Sequence, residues 1–162
     1  MKKRIIISGG GTGGHIYPAI TIYKQIMAST DAEVLYVGTE AGLEATLVRK
    51  EGIPFESIPA QGLQRHLGLS TLVTLAKTAQ SLWKANQIIS KFKPDVVIGT
   101  GGYVCGPILM AAALRNIPTI IQEQNVIAGV TNKILSRVVK VVAVGYEEAA
   151  KYFHKCRRVE IG

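Results

Sequence analysis

Two segments of the chain carry the same four residues, Gly-Thr-Gly-Gly, at positions 11–14 and 99–102. Glycine has no Cβ, so the backbone N–H groups of such a loop approach a phosphate closely, and a helix that begins there adds partial positive charge. Two loops of this kind side by side suit a diphosphate better than a single phosphate. The alternative is that the glycines only form tight strand-to-helix turns.

His15 directly follows the first glycine segment, near the start of a predicted helix. At that position the helix dipole favours the neutral imidazole over the cation. A neutral imidazole accepts a proton from a hydroxyl, as a general base does. Anchoring a phosphate and capping the helix are the two alternative roles for this side chain.

Four polar side chains occupy positions 122–125, directly after an apolar segment, and Gly129, Thr131, Asn132 and Lys133 follow shortly after. Polar groups buried at the end of a strand are costly without partners, so ligand contact is the simplest explanation. Amides bind sugar hydroxyls well, and Glu123 is an alternative to His15 as the base. Ordinary loop polarity is the remaining interpretation.

Residues 9–14 also match the pattern G-x-G-x-x-G, which on its own is a weak signal for a dinucleotide site. Such a site requires an acidic residue at the end of the second strand, to bind the ribose. Here the nearest acid, Glu40, lies in the loop after that strand. An NAD(P)-binding oxidoreductase domain is therefore weakened as an interpretation but stays open. A non-enzymatic nucleotide- or phosphate-binding module is the second alternative.

The elements that must position these residues alternate along the chain. Apolar, β-branched runs predict strands at 4–8, 33–37, 55–58, 95–99, 118–121, 139–144 and 159–161. Helical patterns occupy 19–28, 43–51, 71–92, 107–114, 130–136 and 147–153. This alternation predicts an α/β fold with a doubly wound, Rossmann-like parallel sheet. In the common strand order 3-2-1-4-5-6 the first and fourth strands are neighbours, so both glycine loops face one crevice.

Composition narrows the class of protein. The 162 residues, 48% of them hydrophobic, correspond to a single domain whose sheet is covered on both faces. The net charge of +8 comes without long basic runs or abundant aromatic residues, which disfavours nucleic acid and leaves anionic lipid or a phosphorylated substrate. Cys105 and Cys156 match no metal-ligand spacing, and we expect neither a metal nor another cofactor. The N-terminal apolar stretch is too short for a signal peptide.

The predicted helix at 71–92 carries an apolar stripe. Its members at helical spacing are Leu72, Leu75, Ala76, Ala79, Leu82 and Trp83. Packing against the sheet is the ordinary interpretation of such a stripe. The alternative is a face that lies on anionic lipid, with Leu63 of the preceding segment adding apolar area.

Several motifs in a fixed order carry a resemblance to a known family. They are GGTGGHIYP at 10–18, KPDVVIG at 93–99, GGYVCGP at 101–107, EQN at 123–125 and GVTNK at 129–133. Together they closely resemble the N-terminal half of the MurG family of glycosyltransferases, over essentially the whole chain. Two positions depart from the pattern, since many members have Ser where this chain has Cys105 and His where it has Gln122.

The resemblance implies a two-domain GT-B-type enzyme in which residues 1–162 form the acceptor-binding domain and a C-terminal domain holds most of the donor. The implied reaction moves N-acetylglucosamine from UDP-N-acetylglucosamine to the undecaprenyl-diphosphate-linked muramoyl-pentapeptide of peptidoglycan synthesis. It proceeds with inversion, without metal, and with His15 as the leading base. We expect the fragment alone to be inactive, because donor and acceptor sites must close over each other.

The implied substrate-binding residues are Thr12, Gly13, Gly14, Asn125, Gly101, Gly102, Tyr103 and Gly106. The glycine loops would hold the acceptor diphosphate, and Thr12, Gly13, Gly14 and Asn125 would also touch the UDP-sugar. The resemblance further implies peripheral attachment to the cytoplasmic face of the bacterial cell membrane. The expected membrane patch consists of Leu63, Leu72, Leu75, Leu82 and Trp83.

Overall fold

A computed structural model describes the backbone of residues 2–60 and 69–162, and the side chains of 2–60 and 75–162. The strands are β1 (Arg4–Ser8), β2 (Glu33–Gly38), β3 (Phe55–Ser57), β4 (Val96–Gly99), β5 (Thr119–Glu123), β6 (Val141–Val144) and β7 (Val159–Ile161). They form one parallel sheet in the order β3-β2-β1-β4-β5-β6-β7. The predicted strand order is confirmed, and β1 lies beside β4.

The helices between the strands are α1 (Gly13–Ser29), α2 (Leu43–Lys50), α3 (Leu69–Phe92), α4 (Cys105–Leu114) and α5 (Val130–Leu135). Residues Glu147–Phe153, predicted as a helix, form a 3₁₀ helix before β7. Most predicted boundaries agree within two residues. The exception is α1, which begins six residues before the predicted start and contains Pro18.

The sheet has a hydrophobic core on each face, as the apolar strands predict. Successive residues of β1 belong to different cores: Ile6 lies in the larger one, with α3 and α4, and Ile7 in the smaller one, with α1 and α2. Both side chains are completely buried. Because both faces are covered, the functional residues are left at the ends of the strands.

Helix α3 has buried and exposed residues side by side. Ala85, Ile88 and Ile89 pack into the larger core. Leu75 and Trp83 of the same helix are each 61% exposed. Among the described helices, none combines the length and apolar character that crossing a bilayer requires.

The members of the expected membrane patch therefore fall into two groups. Leu75 and Trp83 are exposed and Leu82 is half-buried, so the described members of the patch are not buried in the hydrophobic core. Leu63 and the side chain of Leu72 lie outside the described residues.

Candidate substrate-binding crevice

The two glycine loops meet at the carboxyl ends of the neighbouring strands β1 and β4. The register pairs Ser8 with Gly99, and just beyond it the Gly10 N–H donates to the Gly101 carbonyl over 3.2 Å. Gly101 and Gly102 have φ values of +117° and +86°, which L-residues with a side chain rarely adopt. The predicted convergence of the loops is thus present, and part of it is direct backbone contact.

The glycines predicted to bind substrate differ in the space that surrounds them. A Cβ on Gly102 would lie 2.2 Å from the Gly10 carbonyl oxygen, and one on Gly101 would lie 2.5 Å from His15 Nδ1. A Cβ on Gly14 would meet only the Thr12 hydroxyl, at 3.6 Å, and no described atom lies within 4 Å of one on Gly106. Packing explains Gly101 and Gly102, whereas Gly14 and Gly106 open space at the starts of α1 and α4.

Thr12 and Tyr103 flank the first loop. Thr12 is the exposed N-cap residue of α1, and among the described residues its side chain makes no capping hydrogen bond to that helix. The half-buried Tyr103 ring lies 3.4 Å from the position of a Cβ on Gly11. Both residues therefore lie at the expected binding loop.

His15 lies between the second glycine loop and the end of β5. Its Nδ1 is 3.1 Å from the Thr100 carbonyl oxygen and 3.0 Å from Gln124 Nε2. A proton on Nδ1 pairs with the Thr100 carbonyl and leaves the lone pair on Nε2, as a general base requires. A proton on Nε2 lets Gln124 donate to Nδ1, and the ring then offers an N–H to an anion. The general-base role and the phosphate-anchor role predicted for His15 thus correspond to its two tautomers.

Gln124 is held beside His15 by a hydrogen bond to a backbone carbonyl of α1 that has no donor within the helix, because residue 18 is a proline. Pro18 has no N–H to donate to the residue four positions earlier, which is Gly14. The Gly14 carbonyl instead accepts a hydrogen bond from Gln124 Nε2 at 2.7 Å. This contact joins the end of β5 to the first turn of α1, and it shows how α1 accommodates a proline in its interior.

Glu123 is the last residue of β5 and is completely buried. One carboxylate oxygen accepts from the N–H and the side-chain amide of Asn125, at 3.0 and 2.9 Å. The other accepts from the Gly129 N–H and the Asn132 amide, at 3.0 and 2.9 Å. Four donors around a buried carboxylate favour organisation of this loop over proton transfer, so His15 is the stronger of the two base candidates.

The remaining polar residues of the run are placed differently. Asn125 is exposed while its amide nitrogen is held by Glu123. Within the described chain, Gln122 Oε1 and Gln124 Oε1 are buried acceptors without a hydrogen-bond partner. Of residues 122–125, the exposed Asn125 is therefore the side chain that a ligand can reach in this conformation, whereas the two glutamine oxygens are buried without a described partner.

Residues 5–144 match the glycosyltransferase family 28 N-terminal domain. The chain belongs to glycosyltransferase family 28. Its resemblance to the MurG transferases is confirmed by relatives and by a solved structure.

A protein of Thermoanaerobacter sp. (strain X514), named UDP-N-acetylglucosamine--N-acetylmuramyl-(pentapeptide) pyrophosphoryl-undecaprenol N-acetylglucosamine transferase, is 55% identical over 159 residues. The match covers 98% of this chain and 44% of that protein. A protein of the same name from Listeria monocytogenes serovar 1/2a is 52% identical, covering 93% of this chain and 42% of its own length. The crystal structure of Acinetobacter baumannii MurG has a TM-score of 0.78 and 36% identity, covering 89% of this chain and 41% of that one. The chain spans less than half the length of the relatives it matches.

Family 28 membership disfavours the oxidoreductase alternative, and the geometry agrees. Glu40, the acid nearest to the end of β2, forms a two-bond ion pair with Arg49, at 2.6 and 2.9 Å. The same pair holds the pKa of the Glu40 carboxyl below its usual range, chiefly through the hydrogen bond from Arg49.

In the described ranges 2–60 and 69–162, no cluster of three or more His, Cys, Asp or Glu side chains is arranged to hold a metal ion.

One residue of this family 28 domain was missed by the sequence reasoning. Glu44, in the first turn of α2, is completely buried and accepts a hydrogen bond from the Gly11 N–H at 3.2 Å. A signal was available, since Glu44 and the buried Val48 are four residues apart on one helical face.

Cys105, which the sequence analysis named as a departure from the family pattern, packs between the end of β1 and the second loop. Its Sγ lies 3.1 Å from the carbonyl oxygens of Ser8 and Gly101. Burial raises the pKa of the Cys105 thiol from 9.0 to about 11. A neutral thiol therefore holds the second loop against the end of β1.

Proposed function

We propose that this chain forms the acceptor-binding half of an inverting glycosyltransferase. The enzyme would transfer N-acetylglucosamine from UDP-N-acetylglucosamine to the undecaprenyl-diphosphate-linked muramoyl-pentapeptide of peptidoglycan synthesis. Family 28 membership and the names of the relatives support this assignment. The observation that carries it is the contact between the Gly10 N–H and the Gly101 carbonyl, which joins two helix-starting glycine loops in one crevice.

The acceptor diphosphate would bind across the starts of α1 and α4. Neither of these two fully described helices has an acidic residue in its first turn, so the positive end of each dipole is unopposed there. Gly14 and Gly106 leave room for a ligand to approach the backbone. The Thr12 hydroxyl and the Tyr103 ring border the same loop.

In the proposed reaction the acceptor hydroxyl oxygen attacks the anomeric carbon of N-acetylglucosamine. The bond from that carbon to the UDP oxygen breaks, and UDP leaves with the electron pair, so the configuration at the carbon inverts. His15 Nε2 takes the hydroxyl proton, and the Thr100 carbonyl, 3.1 Å from Nδ1, stabilises the imidazolium that forms. Asn125, held by Glu123, would contact the donor sugar, and a second domain would supply most of the donor site.

Replacing His15 in the full-length enzyme tests this assignment. His15→Ala should lower turnover by about two to four powers of ten, because a positioned general base is worth that much. His15→Gln is the matched control, since its amide offers an N–H to a phosphate but takes no proton. Both variants should be similarly slow. A loss under tenfold in either variant would make His15 an anchor instead.

We also propose that the exposed face of α3 attaches the enzyme to the cytoplasmic face of the cell membrane. Leu75 and Trp83 expose apolar area on a protein with a net charge of +8, a combination that suits an anionic lipid surface. Leu75→Glu with Trp83→Glu should abolish co-sedimentation with phosphatidylglycerol vesicles. Undiminished binding would refute the patch.

A further inference from the structure

Glu44 is a buried carboxylate outside the residues that touch the proposed substrate. It is completely buried, and among the described residues three neutral groups donate hydrogen bonds to it. The Thr39 N–H and hydroxyl donate to one oxygen, at 2.9 and 2.6 Å, and the Gly11 N–H donates to the other at 3.2 Å. Burying a charged carboxylate among the neutral donors that the structure describes is costly, so we attribute its presence to local geometry more than to stability.

The backbone around Glu44 is shaped to admit it. A Cβ on Gly10, Gly38 or Gly42 would lie 2.7, 2.6 or 2.4 Å from the Glu44 side chain. Contacts this short do not occur at real Cβ atoms, so three glycines leave room for one carboxylate. The first glycine loop, the end of β2 and the turn before α2 therefore share a single anchoring group.

This anchor fixes which amides of the first loop face inward. The Gly11 N–H is taken by Glu44 and the Gly10 N–H by the Gly101 carbonyl. Gly11 has a φ of +83°, and the chain then turns into the N-cap Thr12 and the first turn of α1. The amides left at the start of α1 are those of Gly13 and Gly14, whose place in the first turn gives them no partner within the helix.

We propose that Glu44 is a positioning residue for the acceptor diphosphate. By holding the Gly11 N–H, it sets the first glycine loop so that the amides at the start of α1 point at the diphosphate. This inference rests on the proposed function of the crevice. It predicts that a change at Glu44 alters acceptor binding more than turnover.

The test is Glu44→Gln in the full-length enzyme. The glutamine oxygen can stay with Thr39, but its NH₂ group then faces the Gly11 N–H, and two donors repel. We expect the KM for a short-chain lipid-diphosphate acceptor to rise about tenfold. A rise of this size corresponds to losing one hydrogen bond between a loop amide and the charged diphosphate. The kcat and the KM for UDP-N-acetylglucosamine should change less than about threefold.

Thr39→Val is the matched control. It removes the hydroxyl bond to the same buried carboxylate and keeps the Gly11 contact. The acceptor KM of Thr39→Val should stay within about twofold of that of the unaltered enzyme, even if Thr39→Val loses as much stability as Glu44→Gln. An equal rise of the acceptor KM in both variants would reduce Glu44 to a structural role and overturn the inference.

A second measurement needs no variant and reports on the contact itself. In the unaltered enzyme the Gly11 amide should be protected from hydrogen exchange without ligand, whereas Gly13 and Gly14 should gain protection only when the acceptor analogue is added. Free exchange at Gly11 would overturn the inference. An enzyme with no transferase activity would overturn the proposed function, whereas an active enzyme with a normal Glu44→Gln acceptor KM would overturn only the role of Glu44.

Discussion

The two glycine loops have the same four residues but are held in different ways. The first loop is anchored by a buried carboxylate, Glu44, through the Gly11 N–H. The second is held by neutral groups: the Cys105 thiol against the Ser8 and Gly101 carbonyls, and the Thr100 hydroxyl donating to the His15 carbonyl at 2.7 Å. The second loop thus reaches across and supports the residues of the first.

Exposure follows the same division. Gly11, Thr12 and Gly14 of the first loop are exposed, whereas Gly101 of the second is buried. A repeated motif therefore need not have one repeated role. In this molecule the second loop mainly forms the platform, and the first loop, with the starts of α1 and α4, forms the surface that meets the ligand.

The largest effect should come from filling the contact between the loops. Gly102→Ala places a Cβ 2.2 Å from the Gly10 carbonyl oxygen, at a φ of +86°. Overpacking and the unfavourable φ together should lower the free energy of unfolding by about 3–5 kcal/mol, measured by denaturant titration. Gly106→Ala is the control, because its Cβ enters open space within a helix, and it should change stability by less than about 1 kcal/mol. A stable Gly102→Ala protein would contradict the platform role.

A smaller loss of unfolding free energy should come from raising the pH until the Cys105 thiol, which holds the second loop, ionises. Burial raises the pKa of the Cys105 thiol from 9.0 to about 11, so the fold favours the neutral form. The stabilisation is complete below pH 9 and is lost as the pH rises to about 11, by roughly 2–3 kcal/mol. The measurement is the difference in unfolding free energy between the unaltered protein and Cys105→Ser across this range. The Ser hydroxyl does not titrate in this range. The contributions of all other titrating groups are common to both proteins, so they cancel in the difference. A difference that stays constant with pH would show that the thiol does not hold the loop.

Much of the fold was predictable because strand pattern and strand order are local or general properties. The apolar runs predict all seven strands, and the right-handed crossover rule together with the common doubly wound order places β1 beside β4. The errors have tertiary causes. A helix was predicted at 19–28, but α1 begins at Gly13, and Gln124, distant in sequence, satisfies the Gly14 carbonyl that Pro18 leaves unpaired.

The site was predictable to the level of motifs and not of contacts. His15 and the glycine loops stand out by residue type, and the structure brings them together. Glu123 was expected after its strand, but pairing with Val144 of β6 extends β5 to include it, and its neighbours enclose its carboxylate. The spacing of Glu44 and Val48 could have indicated burial, but the contact of Glu44 with Gly11 could not be read from the sequence, because Gly11 lies in a separate loop.

The smallest stability effect should come at the exposed end of the first loop. A Thr N-cap normally contributes about 1 kcal/mol through its side chain, but in the described structure the Thr12 hydroxyl caps nothing. Thr12→Val should therefore lower the unfolding free energy by less than about 0.5 kcal/mol. If the hydroxyl instead donates to the acceptor diphosphate, the acceptor KM of the full-length enzyme should rise roughly fivefold to tenfold. Thr21→Val is the control on the same helix, because that hydroxyl is bonded to the Tyr17 carbonyl, and its acceptor KM should not change. A loss of about 1 kcal/mol with a normal acceptor KM would make Thr12 an ordinary helix cap and remove it from the ligand-facing surface of the first loop.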